Sequence, residues 1–308
     1  MADTIDEDPH VLSTPAHHRL GRRDSALACP AARLARHWLS LGHRSGRGFQ
    51  ATGIDARSRK QYKYHPAWSQ AQAESKFSTL VEFGLGLPAL RRRVARDLSC
   101  DAGEQTFALA AAVFLIDRLS LRIGTRDYAV QNGSYGALTL KRRHVRLADG
   151  HVTVNFVAKG GKRVRHRIAD RKLMRILGKA HDLPGAELFG WLDADGTRHA
   201  ISSSGLNAYL AEASGGNFTA KTFRTWAGTV AAFEVAAGPE PATVGQIVAA
   251  AAQRLNNTPA IAKSSYIHPL VLGLAGRSFD HPAAASVAGL SKAESSLLHF
   301  LQAETLRE

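Results

Sequence analysis

Cysteine is nearly absent, with only Cys29 and Cys100 in 308 residues. Two thiols cannot build a disulfide framework, and they lack the paired spacing of a structural zinc site, so both are read as reduced thiols. Long apolar runs are missing as well. The longest, Phe107 to Ile116, has ten residues, about half of what a bilayer-spanning helix needs, which excludes a transmembrane span. The opening Met-Ala-Asp-Thr-Ile-Asp-Glu-Asp is acidic and no apolar stretch follows it. Nothing there resembles a secretory or transit signal, and a cytoplasmic protein is expected. Acidic side chains are the scarce charge: 26 Asp+Glu stand against 40 Lys+Arg, for a formal net charge of +14. A polyanionic partner follows from that surplus. What is plentiful is apolar, at 44% of residues, enough to core one large domain or two ordinary ones.

The basicity is local. Between Arg118 and Arg175 fifteen cations, Arg143 and Lys162 among them, face only Asp127, Asp149 and Asp170, so this segment holds +12 of the net +14. A concentrated field attracts phosphates and neutralises them by counterion release. From charge alone, a ribosomal-type or merely solvated basic surface is the competing reading.

Residues 1–48 carry five of the fourteen His and no clear helical or strand periodicity; a poorly ordered segment is expected. From Phe49 the pattern changes. Arg59-Lys-Gln-Tyr-Lys-Tyr-His65 alternates aromatic and cationic side chains, which puts Tyr62 and Tyr64 on one strand face. Helical patterns then cover about 70–98 and 104–121. The second is apolar nearly all round, so it reads as a buried central helix, a rigid element delivering Arg118 and Arg122 at its polar end. Alternation over His144–Leu147, Val152–Val157 and Val164–Ile168, with turns at Ala148-Asp149-Gly150 and Lys159-Gly160-Gly161-Lys162, predicts a three-stranded antiparallel meander. Helices follow at about 171–180, 203–213, 219–236, 242–254, 259–267 and 291–304. On the helix at 219–236, a rotation of about 100° per residue gathers Phe223, Trp226, Val230 and Phe233 on one side and leaves Lys221 and Arg224 on the other. By itself that is also the pattern of an ordinary amphipathic helix with a solvated cationic face.

The order of the motifs says more. Leu121-Arg-Ile-Gly-Thr-Arg-Asp-Tyr128, Asn132-Gly-Ser-Tyr-Gly136, Phe156-Val-Ala-Lys-Gly-Gly-Lys162, Lys221-Thr-Phe-Arg-Thr-Trp226 and Asn257-Thr-Pro-Ala-Ile-Ala-Lys-Ser-Ser-Tyr266 resemble, in sequence and spacing, the type IB DNA topoisomerases of the bacterial, poxvirus-like kind. The resemblance covers roughly Phe49 to Leu301. It implies an α+β fold: a mainly helical catalytic domain over 67–308 with a small three-stranded antiparallel sheet, the core shared with tyrosine recombinases, preceded at 49–66 by a remnant of a β-rich N-terminal clamp domain.

The resemblance also implies roles. Tyr266 matches the nucleophile that attacks a DNA phosphodiester and becomes joined to the 3′ phosphate; a free phenol, with a pKa of about 10, needs cationic help for this. Arg122 and Arg224 match the pair that holds the nonbridging oxygens through planar, two-pronged guanidinium bonds. Lys159 matches the general acid for the 5′-oxygen leaving group, a role suited to a desolvated ammonium beside two guanidiniums. Lys162 is its rival, and Lys159 is preferred because it precedes the Gly-Gly turn and holds the family position. Lys221 matches a supporting phosphate contact, although Thr222 follows it where the family commonly has Asp. Asn257 stands where poxvirus-type enzymes have His and bacterial relatives commonly have Asn, a neutral hydrogen-bond donor to phosphate oxygen. Asn257 precedes Tyr266 by nine residues, about 13 Å on a straight helix, so the chain must bend if both serve one phosphate. Lys60, Gln61, Tyr62, Tyr64, Tyr128, Arg143 and Lys162 are expected to contact DNA, with ordinary packing the alternative for the three tyrosines. Transesterification stores the bond energy in the phosphotyrosine, so neither ATP nor a metal or other cofactor is expected.

The N-terminus departs from the family. Residues 1–48 are unlike its β domain and too short for it, as from a truncated or frame-disrupted beginning that leaves the clamp incomplete. Double-stranded DNA is the expected partner, no membrane is, and a monomer at the nucleoid is the family expectation. A tyrosine site-specific recombinase shares the Arg, Lys, Arg and Tyr logic but usually has His at the position of Lys221; a catalytically silent DNA-binding remnant is the reading from another class.

Overall fold

The computed structural model describes residues 35–40, 49–55, 60–64, 66–278 and 285–306, and the chain divides into two compact units between Ala71 and Gln72. The first unit holds an antiparallel sheet of β1 (Ala35–Ser40), β2 (Phe49–Asp55) and β3 (Lys60–Tyr64), in that order. Trp38 stands opposite Gly53 and Thr52 opposite Tyr62. Strand β3 is the one that the aromatic and cationic alternation predicts. Strand β1 corrects the sequence reading, which finds no strand before Phe49: Ala-Arg-His-Trp-Leu-Ser has no clean two-residue period, and it is pairing with β2 that makes it a strand. The rest of 1–48, expected to be poorly ordered, lies outside the described residues.

The second unit is mainly helical. Its elements are α1 (Pro66–Asp97, which begins before the division), α2 (Gln105–Leu119), α3 (Arg126–Asn132), β4 (Val145–Ala148), β5 (His151–Val157), β6 (Arg163–Ile168), α4 (Arg171–Asp182), β7 (Trp191–Leu192), β8 (Arg198–His199), α5 (Ser203–Ser214), α6 (Ala220–Ala236), α7 (Val244–Leu255), α8 (Pro259–Tyr266), α9 (Pro269–Leu272) and α10 (Lys292–Thr305). The predicted helices and the meander β4-β5-β6 are all present. The short helix α3 and the β7–β8 hairpin were not foreseen. Among the described residues no helix is long and apolar enough to cross a membrane.

Helix α2 is the axis of the core, as its composition predicts. Alanine and leucine favour a helix, and Phe107 through Val113, Leu115, Ile116 and Leu119 are all buried. Around it Phe83 of α1 meets Phe218, Phe223 and Trp226 edge-on, with ring centroids 5.2, 5.0 and 5.9 Å away. Each fully buried side chain of this size contributes about 1.5–3 kcal/mol. Gly84 permits the close approach of α1 to α6, since a Cβ there would lie 2.6 Å from the Trp226 ring. A polar tie joins four helices beside this cluster. Arg91 of α1 forks onto Asp117 of α2 (2.8 and 3.1 Å) and Glu294 of α10 (2.8 and 3.0 Å), and the Trp226 indole N–H of α6 also donates to Glu294, at 3.2 Å.

The meander follows the two-residue period. Val145, Val152, Val154, Phe156 and Val164 are buried on its inner face, while Arg146, Asn155, Arg163, Arg165 and Arg167 are exposed on the other. Its β5–β6 turn carries Lys159 out from the core.

Candidate active site

Arg122 is not on a rigid helix, contrary to expectation. Helix α2 stops at Leu119 because Ser120 adopts a left-handed conformation (φ 52°, ψ 38°), and Arg122 follows in the irregular segment before α3. Backbone bonds hold that chain: the Ala137 N–H donates to the Arg122 carbonyl and the Leu138 N–H to the Ile123 carbonyl, both at 2.8 Å. The approach is so close that a Cβ on Gly136 would lie 2.5 Å from the Arg122 oxygen. Glycine is required there by contact.

Arg224 corrects the picture of a solvated cationic face. Lys221, in the first turn of α6, is exposed, but Arg224 one turn on is only 3% exposed. One end of its guanidinium donates to the Ser120 carbonyl and the other to the Leu255 carbonyl, the latter at 3.1 Å, while its Nε has no partner. Burial first, and then the charge of Arg122, push its pKa below the ordinary arginine value, with Tyr266 acting in the opposite direction. Among the described residues no carboxylate forms an ion pair with Arg122 or Arg224.

The bend demanded between Asn257 and Tyr266 is present. Helix α7 ends as Asn256 turns left-handed (φ 49°) and the Asn257 N–H returns to the Ala252 carbonyl at 2.9 Å. Thr258 then caps α8 and Pro259 occupies its first turn, where its missing N–H costs nothing. Asn257, buried in this turn, accepts a hydrogen bond from Arg122 and keeps its own amide N–H groups unpartnered. Tyr266 closes α8, with the Arg224 guanidinium carbon 5.1 Å from the centre of its ring. The end of α8 is pressed onto α6: Thr229 donates to the Tyr266 carbonyl at 3.2 Å, and a Cβ on Gly228 would sit 2.8 Å from the same oxygen. Arg122, Asn257, Arg224 and Tyr266 thus converge from four places in the chain.

The remaining predicted residues are spread out. Lys159 is exposed at the hairpin tip, before Gly160 (φ 80°) and Gly161 (φ 75°), so the desolvation expected for it is absent here; its Nζ lies 5.7 Å from the centre of the Tyr128 ring. Tyr128, on α3, is 41% exposed and is no core aromatic. Lys162 is half-buried and its carbonyl takes the Ala158 N–H at 2.7 Å, closing the turn. Arg143 is exposed and donates to the Tyr135 hydroxyl at 3.3 Å. Lys60, Gln61, Tyr62 and Tyr64 all lie on β3, in the first unit. Among the described residues no group of three His, Cys, Asp or Glu is placed to hold a metal ion.

Ser120, Leu255, Asn256 and Gly228 also shape the site, and the sequence motifs do not include them in that role. Asn256 left a signal, since Asn-Asn-Thr-Pro after an apolar helix is a left-handed stop followed by a new cap. Ser120 left none.

The protein family described as eukaryotic DNA topoisomerase I, catalytic core, matches residues 65–265, a span that contains Arg122, Lys159, Arg224 and Asn257 and stops one residue short of Tyr266. The chain therefore belongs to the type IB DNA topoisomerase family. It is similar to the DNA topoisomerase 1B of Acanthamoeba polyphaga mimivirus, with 28% identity over 73% of this chain and 71% of the relative. It is also similar to the DNA topoisomerase 1B of vaccinia virus (strain Copenhagen) and the DNA topoisomerase I of monkeypox virus, each 22% identical over 71% of this chain and 70% of the relative.

Proposed function

We propose that the chain relaxes supercoiled double-stranded DNA by cutting and resealing one strand through a 3′-phosphotyrosyl intermediate. The observation that carries this reading is the convergence of Tyr266 with Arg122, Arg224 and Asn257 around cations that lack carboxylate partners. Tyr266 gives up its phenolic proton to solvent as Oη attacks the phosphorus, a P–O bond forms to tyrosine, and the bond to the 5′-oxygen breaks. Arg122 and Arg224 take the charge growing on the nonbridging oxygens, while Asn257 donates a neutral hydrogen bond. Lys159 delivers its proton to the departing 5′-oxygen, its hairpin tip closing onto the bound duplex; Lys221 supports the phosphate from the start of α6. The released 5′-hydroxyl later attacks the phosphotyrosine and restores the original bond. Bond energy is conserved throughout, so the cycle needs no nucleotide and no metal. Rotation of the free end between the two steps relaxes the DNA.

In this proposal β3, with Lys60, Gln61, Tyr62 and Tyr64, belongs to a β-rich clamp domain that grips the duplex, and Tyr128, Arg143 and Lys162 touch the backbone near the cut. In the same proposal the protein acts as a monomer in the cytoplasm. Relaxation of supercoiled plasmid in EDTA without ATP tests the function. Activity lost in Tyr266→Phe is the expected result; equal activity in both proteins, or retardation of DNA by both without relaxation, would overturn it.

A further inference from the structure

Arg224 is a buried cation held by neutral groups. Its two terminal nitrogens donate to the carbonyls of Ser120 and Leu255, and both carbonyls stand at helix C-termini: Ser120 caps α2, and Leu255 is the last residue of α7, capped by Asn256. Carbonyls in these positions have no intrahelical partner and carry the negative end of the helix dipole. Two such ends meet at one guanidinium. Each cap is left-handed, with φ 52° at Ser120 and φ 49° at Asn256. Among the described residues only one other non-glycine, Asp149 in the β4–β5 turn, has positive φ. Glycine adopts this conformation freely, whereas a side chain strains against it, and such strain persists where the surroundings impose it and clusters at functional sites.

We propose that Ser120 and Asn256 are positioning residues for cleavage: their left-handed caps aim the terminal carbonyls of α2 and α7 at Arg224, fixing the guanidinium without neutralising it. The proposal rests on the phosphate-binding role of Arg224 given above. A carboxylate in either place would hold the side chain as firmly, but it would cancel the charge that the pentacoordinate phosphorus requires. Ser120 acts through its backbone, since its buried hydroxyl has no partner. Asn256 has a second task. Its side-chain amide donates to the Arg163 carbonyl at the start of β6, at 3.2 Å, so the cap that holds Arg224 also anchors the hairpin bearing Lys159.

The test compares the rate of covalent adduct formation at saturating duplex with the dissociation constant for the same duplex. Ser120→Val, whose β-branched side chain resists positive φ, and Asn256→Ala disfavour the left-handed cap; each is expected to slow adduct formation at least about tenfold while the dissociation constant stays within a factor of about two. Ser120→Gly, which accepts the conformation, should recover most of the lost rate, and Asn256→Gly should recover less because the tie to Arg163 is gone. Variants of this kind that melt earlier but cleave at the normal rate would overturn the proposal, as would one that glycine does not rescue. Should these variants fail to fold, the side-chain 15N spectrum of Arg224 in the unmodified protein decides: separate Nη resonances are expected of a guanidinium held at both ends, and one averaged signal contradicts the clamp. A native protein that forms no adduct at all would sink the topoisomerase reading instead, and the spectrum would still judge the clamp.

Discussion

Arg91 and Arg224 are the same side chain handled in opposite ways. Arg91 is half-buried and surrounded by acceptors: two carboxylates and the Gly289 carbonyl take its N–H groups at 2.8 to 3.1 Å. Burial works against its charge, yet the bonds to Glu294 and Asp117 outweigh that and raise its pKa above the ordinary value. Arg224 is buried more deeply, receives two carbonyls and no carboxylate, and has its pKa lowered. The first arginine is satisfied and joins α1, α2 and α10. The second is left short of negative charge, which is what a phosphate brings. A cation's partners, more than its burial, separate a structural role from a functional one.

Removing each arginine breaks the comparison most sharply. Arg224→Gln is expected to slow adduct formation by about 10²–10³, the usual cost of one preorganised donor, with a denaturation midpoint unchanged or raised, since an unpaired buried charge has gone. Arg91→Ala should do the reverse. Loss of one partner from a buried pair costs about 3–5 kcal/mol, and with 30% of the Arg91 side chain still exposed roughly 2–4 kcal/mol is expected. Urea denaturation reads that loss, while the folded fraction should cleave DNA at the normal rate. A stability loss at Arg224 matching that at Arg91 would erase the distinction.

A smaller effect should come from the wall behind the site. At Gly228 an added methyl would meet the Tyr266 carbonyl and the Leu255 side chain, each at 2.8 Å, so Gly228→Ala must push α8 away from α6. Over-packing of this kind costs about 1–3 kcal/mol, and the displaced Tyr266 should lose about tenfold to a hundredfold in adduct formation. The smallest effect concerns pH. His144 takes the Lys141 N–H on Nδ1 at 3.1 Å and must be neutral to do so; burial, then Arg143 and Lys141, push its pKa down to about 4. The unfolded chain binds that proton more readily, so the stabilisation is full above the ordinary histidine value of about 6.5 and is lost as pH falls toward 4. The melting temperature should drop by a few degrees over that window, and His144→Gln should flatten the drop.

Much of the architecture was legible because local pattern and global fold agree. The apolar run from Phe107 reads as a buried helix and is one; Lys159-Gly-Gly-Lys162 reads as a hairpin tip and is one; the spacing of Asn257 from Tyr266 demands a bend, and Asn256 with Pro259 supplies it. What escaped depends on contacts across the chain. Strand β1 exists by pairing with β2, and the Arg91 tie joins residues 26 and 203 positions apart. The sequence places Arg122 on a helix because nothing in a serine announces a left-handed stop. Arg224 looked solvent-facing on the helical wheel because the wheel cannot show the ends of α2 and α7 closing over it.

The most direct test of the account is to stop the reaction with denaturant while the protein is bound to a duplex, digest it, and map the DNA-linked peptide. A 3′-phosphoryl link on Tyr266, absent from Tyr266→Phe and formed far more slowly by Arg224→Gln, is the predicted result. A link on any other residue, or an adduct that survives in Tyr266→Phe, would contradict it.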